Sequence, residues 1–167
     1  MGAAVKLMDA ILFFYFLIMV VVIPLIDGQT LAPEGLFPES FIHLMKWYVK
    51  EYGDYLMEEK PHFMVGLLWV ELLFHWPISI MCLIGIITRR AWFPTFCLVY
   101  GSSVLTSMAA IFGELLLSGK ASEKLLLMYI PFTIVAVMCL ARGLVPHPRM
   151  SVEFARNGVA DHRKKHS

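Results

Sequence analysis

Four apolar stretches, each about as long as a membrane-spanning helix, dominate this chain of 167 residues. They cover approximately residues 7–26, 62–87, 93–117 and 125–144. A run of about 20 predominantly apolar residues is enough for an α-helix to cross the hydrocarbon core of a bilayer. Only 16% of the residues are charged, whereas a soluble domain would have about 25%. The sequence therefore predicts an all-α integral membrane protein, a bundle of four transmembrane helices.

The distribution of lysine and arginine predicts the orientation of the bundle. Nine of the 14 lysine and arginine residues lie on the side of the two termini, where Arg89 and Arg90 also fall in a very short connection. Because such residues are enriched in cytoplasmic connections, both termini are expected in the cytoplasm. The segment after the first stretch has no small-x-small cleavage site, which favours a retained helix over a cleaved signal peptide.

The last residues of the chain are strongly basic. We expect residues 1–145 to form the membrane domain and residues 146–167 a cytoplasmic tail that ends Lys164-Lys165-His166-Ser167. Two lysines at the third and fourth positions from a cytoplasmic end match a dilysine signal for retrieval to the endoplasmic reticulum, which a receptor reads as an address. The alternative is a basic tail attracted to anionic lipid.

The connection between the first two stretches contains an amphipathic segment. Phe41, Leu44, Tyr48 and Tyr52 belong to one apolar face with steps of three and four, on a helix that starts near Pro38 and stops at Gly53. With the termini in the cytoplasm, this short helix lies on the lumenal side. Two compatible interpretations remain open: a helix lying in the membrane interface, and a lid over a pocket.

Glu71 lies about ten residues from the nearer end of the second apolar stretch, which places its carboxyl group ~15 Å deep in the bilayer. A charged group at that depth costs at least ~2.5–3.5 kcal/mol, so such residues are normally paired, protonated or facing a polar pocket. His75 follows at the i+4 position, where a local hydrogen bond between the two side chains would give both a purely structural role. Glu71 is our first candidate for a functional residue.

Asp27 is the second candidate acid, at the lumenal end of the first stretch. The alternative interpretation is that Asp27 is a hydrated residue of the membrane interface that begins a turn at Asp-Gly. Three stretches also contain a proline, Pro24, Pro77 and Pro131. Each proline removes a backbone donor and leaves the carbonyl four residues earlier, such as that of Val20, without its helical partner. Kinks of this kind separate helices locally and leave room for a ligand.

The third stretch is rich in small and hydroxyl residues. Gly101, Ser102, Thr106 and Ser107 are among those that permit close approach of helices, and Thr106 or Ser107 would offer a hydroxyl to a pocket. The three cysteines all fall in apolar stretches and are expected to be small buried residues, with no disulfide framework and no zinc site.

These features predict an apolar, aromatic-rich cavity with one or two carboxyl groups near its centre. The complementary ligand is a lipid-like molecule with a polar group, or a lipophilic amine, because an ammonium near a desolvated carboxylate gains a charge-assisted bond. We expect the two acids to hold one proton between them until a cation binds. No cofactor and no metal are expected. A net charge of +1 gives no reason to expect nucleic acid as a partner.

The order and spacing of several motifs resemble the sigma-2 receptors of the EXPERA family, to which the emopamil-binding sterol isomerase is related. The resembling segments are Phe37-Pro38, Leu44-Met45-Lys46-Trp47-Tyr48, Ile23-Pro24 with Asp27, Glu71-Leu72 with Phe74 and Pro77, and Tyr129-Ile130-Pro131. The resemblance implies a four-helix protein of the endoplasmic reticulum membrane, a homodimer, that binds sterols or lipophilic amines. It also implies a role in cholesterol handling, with a lysosomal cholesterol transporter as a candidate partner.

The resemblance further implies roles for individual residues. Asp27 and Glu71 match the ligand-binding acids of these receptors, and Trp47, Tyr100 and Tyr129 match positions that line or close the pocket. There are two departures at the expected site. His75 replaces a glutamine, which adds a titratable group beside Glu71, and Phe132 replaces a tyrosine, which removes a hydroxyl from the pocket.

Three functions stay open at this point. The leading one is a non-enzymatic receptor for sterols or lipophilic amines that regulates sterol traffic. The alternative is a sterol isomerase, in which Glu71 and His75 would supply acid–base chemistry for moving a double bond. The third is a small scaffold whose buried acid is only structural.

Overall fold

The structure is a computed structural model that describes residues 2–33 and 35–145. Four of its helices are long and apolar enough to cross a membrane, which confirms the predicted bundle. In chain order the helices are α1 (Ala3–Leu31), α2 (Glu39–Tyr52), α3 (Tyr55–Glu59), α4 (His62–Thr88), α5 (Phe93–Leu117) and α6 (Glu123–Leu144). The predicted tail and the Lys164-Lys165 signal lie outside the described residues.

The two short helices lie between α1 and α4. Helix α2 begins after Pro38 and ends at Gly53, whose left-handed backbone (φ 64°) stops the helix, as the sequence predicted. The sequence did not predict α3. Asp54 caps its N-terminus by accepting hydrogen bonds from the backbone N–H groups of Leu56 and Met57. The capped turn reverses the chain toward α4.

Both α1 and α4 contain a widened, π-helical turn. In α1 the turn covers Ile23–Asp27, and in α4 it covers Glu71–His75. Pro24 lies within the first turn and Pro77 follows the second, whereas Pro131 lies inside α6 without such a turn. The two π-helical turns contact each other across the bundle.

The carbonyl group of Val20 shows how the bundle tolerates Pro24. Because proline has no backbone N–H, this carbonyl lacks its helical donor. The indole N–H of Trp76 donates to it instead, with a distance of 2.9 Å between Nε1 and the carbonyl oxygen. A side chain of α4 thus satisfies the backbone of α1, as a kinked helix in lipid requires.

Helices α5 and α6 pack closely along their length. At Gly101, an added Cβ would lie only 2.7 Å from the carbonyl oxygen of Ala136, so no larger residue fits there. The predicted role of small residues in packing is therefore confirmed at Gly101. It is wrong for Ser102 and Thr106, whose side chains are exposed on the outer face of α5.

At the end of the bundle opposite α2, Arg142 of α6 is buried and forms an ion pair with Asp9 of α1. The guanidinium also lies 5.1 Å from the centre of the Phe93 ring. Partners on two other helices thus compensate the burial of this cation. The sequence did not predict this pair.

The three cysteines occupy the interior, one on each of α4, α5 and α6. Cys82, Cys97 and Cys139 are free thiols and fully buried, as predicted. Among the residues that the structure describes, no group of three or more His, Cys, Asp and Glu side chains has an arrangement that could hold a metal ion.

Candidate ligand-binding site

A cavity of about 340 Å³ lies between the helices of the bundle and is lined by α1, α2, α4, α5 and α6. Small-molecule sites in proteins typically have volumes of about 300–1,000 Å³ and mostly apolar walls. The apolar part of the wall comes mainly from α1 and α5, with side chains such as Met19, Val22, Ile23, Val104, Met108 and Ile111. The predicted apolar cavity is therefore present in the structure.

Asp27 and Glu71 both line this cavity. Each belongs to a π-helical turn, of a kind that is frequent at functional sites. The two turns contact each other across the bundle, and Asp27 is only 6% exposed. The structure thus brings together the two acids that the sequence had singled out on different helices.

His75 also lines the cavity, but its hydrogen bond is not the local one with Glu71 that was considered as an alternative. The ring nitrogen Nε2 lies 2.9 Å from Oγ of Ser103 on α5, not against the carboxyl group of Glu71. The alternative of a local i, i+4 bond is not seen, because the segment Glu71–His75 is π-helical and the spacing of an ordinary α-helix does not apply. The imidazole instead packs toward α5, with its centre 5.2 Å from the ring centre of Tyr100.

Helix α5 contributes a stripe that begins with Tyr100 and continues through Val104 and Met108. The predicted hydroxyls of this helix are not part of the cavity wall. Ser107 is buried next to the stripe without lining the cavity, and Thr106 faces outward and donates to the carbonyl oxygen of Ser102 at 2.9 Å. Neither hydroxyl is therefore offered to the cavity, because both side chains lie outside its wall on the circumference of α5.

Helix α2 covers one end of the cavity. Leu44, Trp47 and Tyr48 line the cavity from this helix, together with Met57 from α3. Trp47 remains 57% exposed, so its indole lies at the edge of the opening. This arrangement fits the lid interpretation of α2 and leaves its other face available to the membrane interface.

The fully buried carboxylate of Asp54 fixes α2 to the bundle. Its Oδ2 accepts hydrogen bonds from the hydroxyl of Tyr48 at 2.8 Å and from the hydroxyl of Tyr129 at 3.0 Å. Its Oδ1 accepts from the backbone N–H groups of Leu56 and Met57. Asp54 therefore joins α2, α3 and α6 at one point, and both tyrosines also line the cavity.

Tyr129 and Phe132 lie one turn apart on α6 and line the cavity, as the sequence analysis expected. Sequence reasoning did not single out Asp54. A signal was present, because a helix-stopping glycine followed by aspartate marks the N-cap of a new helix. It also missed Tyr15 of α1, whose hydroxyl lies 3.0 Å from that of Tyr100.

Two exposed ion pairs and one hydroxyl pair attach α2 and α3 to α6 and to the connection between α5 and α6. Lys124 pairs with Glu51, Lys120 pairs with Glu59 at 2.9 Å, and the hydroxyl of Tyr55 lies 2.8 Å from that of Ser118. The ammonium of Lys124 lowers the pKa of Glu51, and the carboxylate of Glu59 raises the pKa of Lys120. The two ion pairs are exposed and screened by salt, so each contributes little stability.

The fold and the site define a class: a four-helix membrane protein with a largely apolar cavity between its helices and two carboxyl groups, those of Asp27 and Glu71, in the cavity wall. Residues 40–143 match the family model described as EBP: EXPERA (EXPanded EBP superfamily). The chain belongs to this family.

Individual relatives are named sigma intracellular receptor 2. The chain is 27% identical to the Xenopus tropicalis protein over 169 residues, which cover 93% of this chain and 98% of the relative. It is 29% identical to the Homo sapiens and Macaca fascicularis proteins over 103 residues, which cover 61% of this chain and 58% of each relative. These similarities agree with the resemblance seen in the sequence.

Proposed function

We propose that this protein is a receptor of the endoplasmic reticulum membrane that binds sterols or lipophilic amines in its intramembrane acidic cavity. The observation that carries the proposal is the position of Asp27 and Glu71, on two π-helical turns that contact each other, in the wall of one largely apolar cavity. Two carboxyl groups near each other repel when both are ionised. A bound cation relieves that repulsion, which gives the site a physical reason to select amines.

The apolar wall supplies the remainder of the recognition. Side chains such as Met108, Ile111 and Phe132 surround the acid pair, and burying apolar ligand surface is worth roughly 25 cal/mol per Å². A neutral sterol fits the same arrangement, because its hydroxyl can donate to an ionised carboxylate and accept from a protonated one. The ligand class is therefore an elongated apolar molecule with one cationic or hydroxyl group.

A receptor role is supported by the relatives, which are named as intracellular receptors. We propose that ligand binding regulates sterol homeostasis or trafficking, with both termini in the cytoplasm and Lys164-Lys165 acting in retrieval to the endoplasmic reticulum. A homodimer and contact with a lysosomal cholesterol transporter belong to the same proposal.

Lipid mass spectrometry of protein purified in mild detergent tests this function. The wild type is compared with the double variant Asp27→Asn/Glu71→Gln and with Glu123→Gln, a matched control at an exposed glutamate. We expect a sterol or lipophilic amine to co-purify with the wild type and the control but not with the double variant. Equal recovery from all three proteins would contradict the proposal.

Sterol isomerisation is the second candidate, because Glu71 and His75 line the same cavity and the family model carries the EBP name. The receptor is favoured because the relatives are named as intracellular receptors and not as enzymes. Incubation with a Δ8-sterol separates the two. Turnover that is abolished by both Glu71→Gln and His75→Ala would establish the enzyme.

A further inference from the structure

We infer that five methionines make the apolar wall of the cavity adaptable, so that they determine which outlines of a ligand's apolar body the site accepts. The inference rests on the proposed function, since it concerns the same class of ligand. All five residues line the cavity, and we call them the methionine set: Met19, Met57, Met64, Met108 and Met128.

The methionine set surrounds the cavity. Its members belong to α1, α3, α4, α5 and α6 in turn, so five different helices each contribute one. The whole chain has 11 methionines, and almost half of them therefore lie in the wall of one cavity. A ligand in this cavity has thioether side chains on several sides.

Methionine changes its shape more readily than the other large apolar residues. Its side chain is unbranched and has three rotatable bonds and a polarizable sulfur, so it fills irregular gaps. Leucine has a similar volume, but it is branched and has better-defined rotamers. Protein surfaces that accept several different partners are rich in methionine for this reason.

The polar side chains of the same wall are held by hydrogen bonds, which distinguishes them from the methionine set. The hydroxyls of Tyr48 and Tyr129 both donate to Asp54, at 2.8 Å and 3.0 Å. Nε2 of His75 lies 2.9 Å from Oγ of Ser103. The wall thus combines polar groups in fixed positions with apolar side chains that can change their conformation between them.

The size of the cavity gives this adjustment a function. Its volume of about 340 Å³ is near the lower end of the range of about 300–1,000 Å³ for small-molecule sites. Met19, Met64 and Met108 are buried in the bundle. Rotation about their side-chain bonds changes the outline of the cavity without moving a helix. We therefore expect ligands to be selected by their cationic or hydroxyl group more than by the outline of their apolar body.

Two amines with the same ammonium group and equal numbers of carbon atoms test the inference: N-decylpiperidine, whose apolar body is linear, and N-(1-adamantyl)piperidine, whose apolar body is globular. The readout is the ratio of their Kd values for the detergent-purified, full-length protein. Wild type is compared with Met19→Leu/Met64→Leu/Met108→Leu, which keeps the side-chain volumes and stiffens the wall. We expect the ratio to change by about five- to hundredfold, because a stiff wall must be forced off its rotamers by one of the two bodies.

Met8→Leu/Met81→Leu/Met138→Leu is the matched control. These three methionines are not among the residues that line the cavity, so the variant should keep the ratio of the wild type. An unchanged ratio in the cavity variant would overturn the inference, as would an equal change in the control. If neither amine binds the wild type, the proposed function fails as well.

A measurement on the wild type does not depend on the folding of any variant. In nuclear magnetic resonance, the shift of a methionine methyl carbon reports the conformation of its side chain. We expect these shifts to differ between the decyl and adamantyl complexes for the methionine set and to coincide for Met8, Met81 and Met138. Coincident shifts of the methionine set in the two complexes would show a wall that does not adjust, and would overturn the inference.

Discussion

The indole N–H of Trp76 donates a hydrogen bond to the carbonyl oxygen of Val20 at 2.9 Å, the carbonyl that Pro24 leaves without its helical donor. This bond joins α1 to α4 beside the two π-helical turns that contain Asp27 and Glu71. The position of Asp27 relative to Glu71 therefore depends on the bond between Trp76 and Val20, in which neither acid takes part.

Trp76→Phe removes this donor and keeps most of the ring. Since the carbonyl is then unpaired in an apolar surrounding, we expect the variant to lose about 1–2 kcal/mol of stability. Trp69→Phe is the matched control, because Trp69 is exposed on the outside of the bundle. Thermal unfolding in detergent measures both, and equal midpoints for the two variants would contradict the role given to Trp76.

Asp54 holds α2 in place through Tyr48 and Tyr129. Asp54→Ala removes the cap of α3 and both tyrosine bonds, so we expect a loss of about 2–3 kcal/mol. Hydrogen exchange should accelerate across Glu39–Tyr52 well before it does in α5. Glu58→Gln, at an exposed neighbouring acid, should leave the exchange unchanged. Unaltered protection of Glu39–Tyr52 in Asp54→Ala would show that other contacts fix this helix.

The buried pair of Asp9 and Arg142 gives a prediction about charge. Arg142→Met leaves the carboxylate of Asp9 without its partner in the interior, and breaking a buried pair in this way typically costs about 3–5 kcal/mol. The double variant Asp9→Leu/Arg142→Met should recover most of that loss. Unfolding of the two variants and the wild type measures the recovery. Additive losses in the double variant would contradict a direct pairing.

The exposed pair of Glu51 and Lys124 should respond to pH and salt. Lys124 lowers the pKa of Glu51 below its ordinary value of 4.5. A carboxyl group with a lowered pKa stabilises the fold above that ordinary value, and the contribution is lost as the pH falls through the lowered value. We expect Glu51→Gln to remove this small acid-dependent step in the protection of α2 from proteolysis. The difference from wild type should vanish at high salt, and a salt-independent difference would point to packing.

The spans, the amphipathic helix α2 and the acid-bearing positions were predictable because each depends on local composition and periodicity. The π-helical turns were not predictable, since a spacing argument assumes ordinary α-helical geometry, and for this reason the alternative of a Glu71–His75 bond does not hold in the structure. Asp54 lies in a polar segment that looks like a hydrated turn. Its burial depends on its contact with Tyr129 of α6, which is distant in the sequence. The contact between Tyr15 and Tyr100 joins residues far apart in the chain, a pairing that one sequence does not specify.

Binding of a radiolabelled lipophilic amine to wild type, Glu71→Gln and Glu123→Gln, compared near neutral pH, tests the central claim most directly. We predict that Glu71→Gln weakens binding by about 10–100-fold, the effect of losing a hydrogen bond to a charged group, whereas Glu123→Gln binds as the wild type does. An unchanged Kd in Glu71→Gln would contradict the assignment of the acid pair as the ligand-binding site.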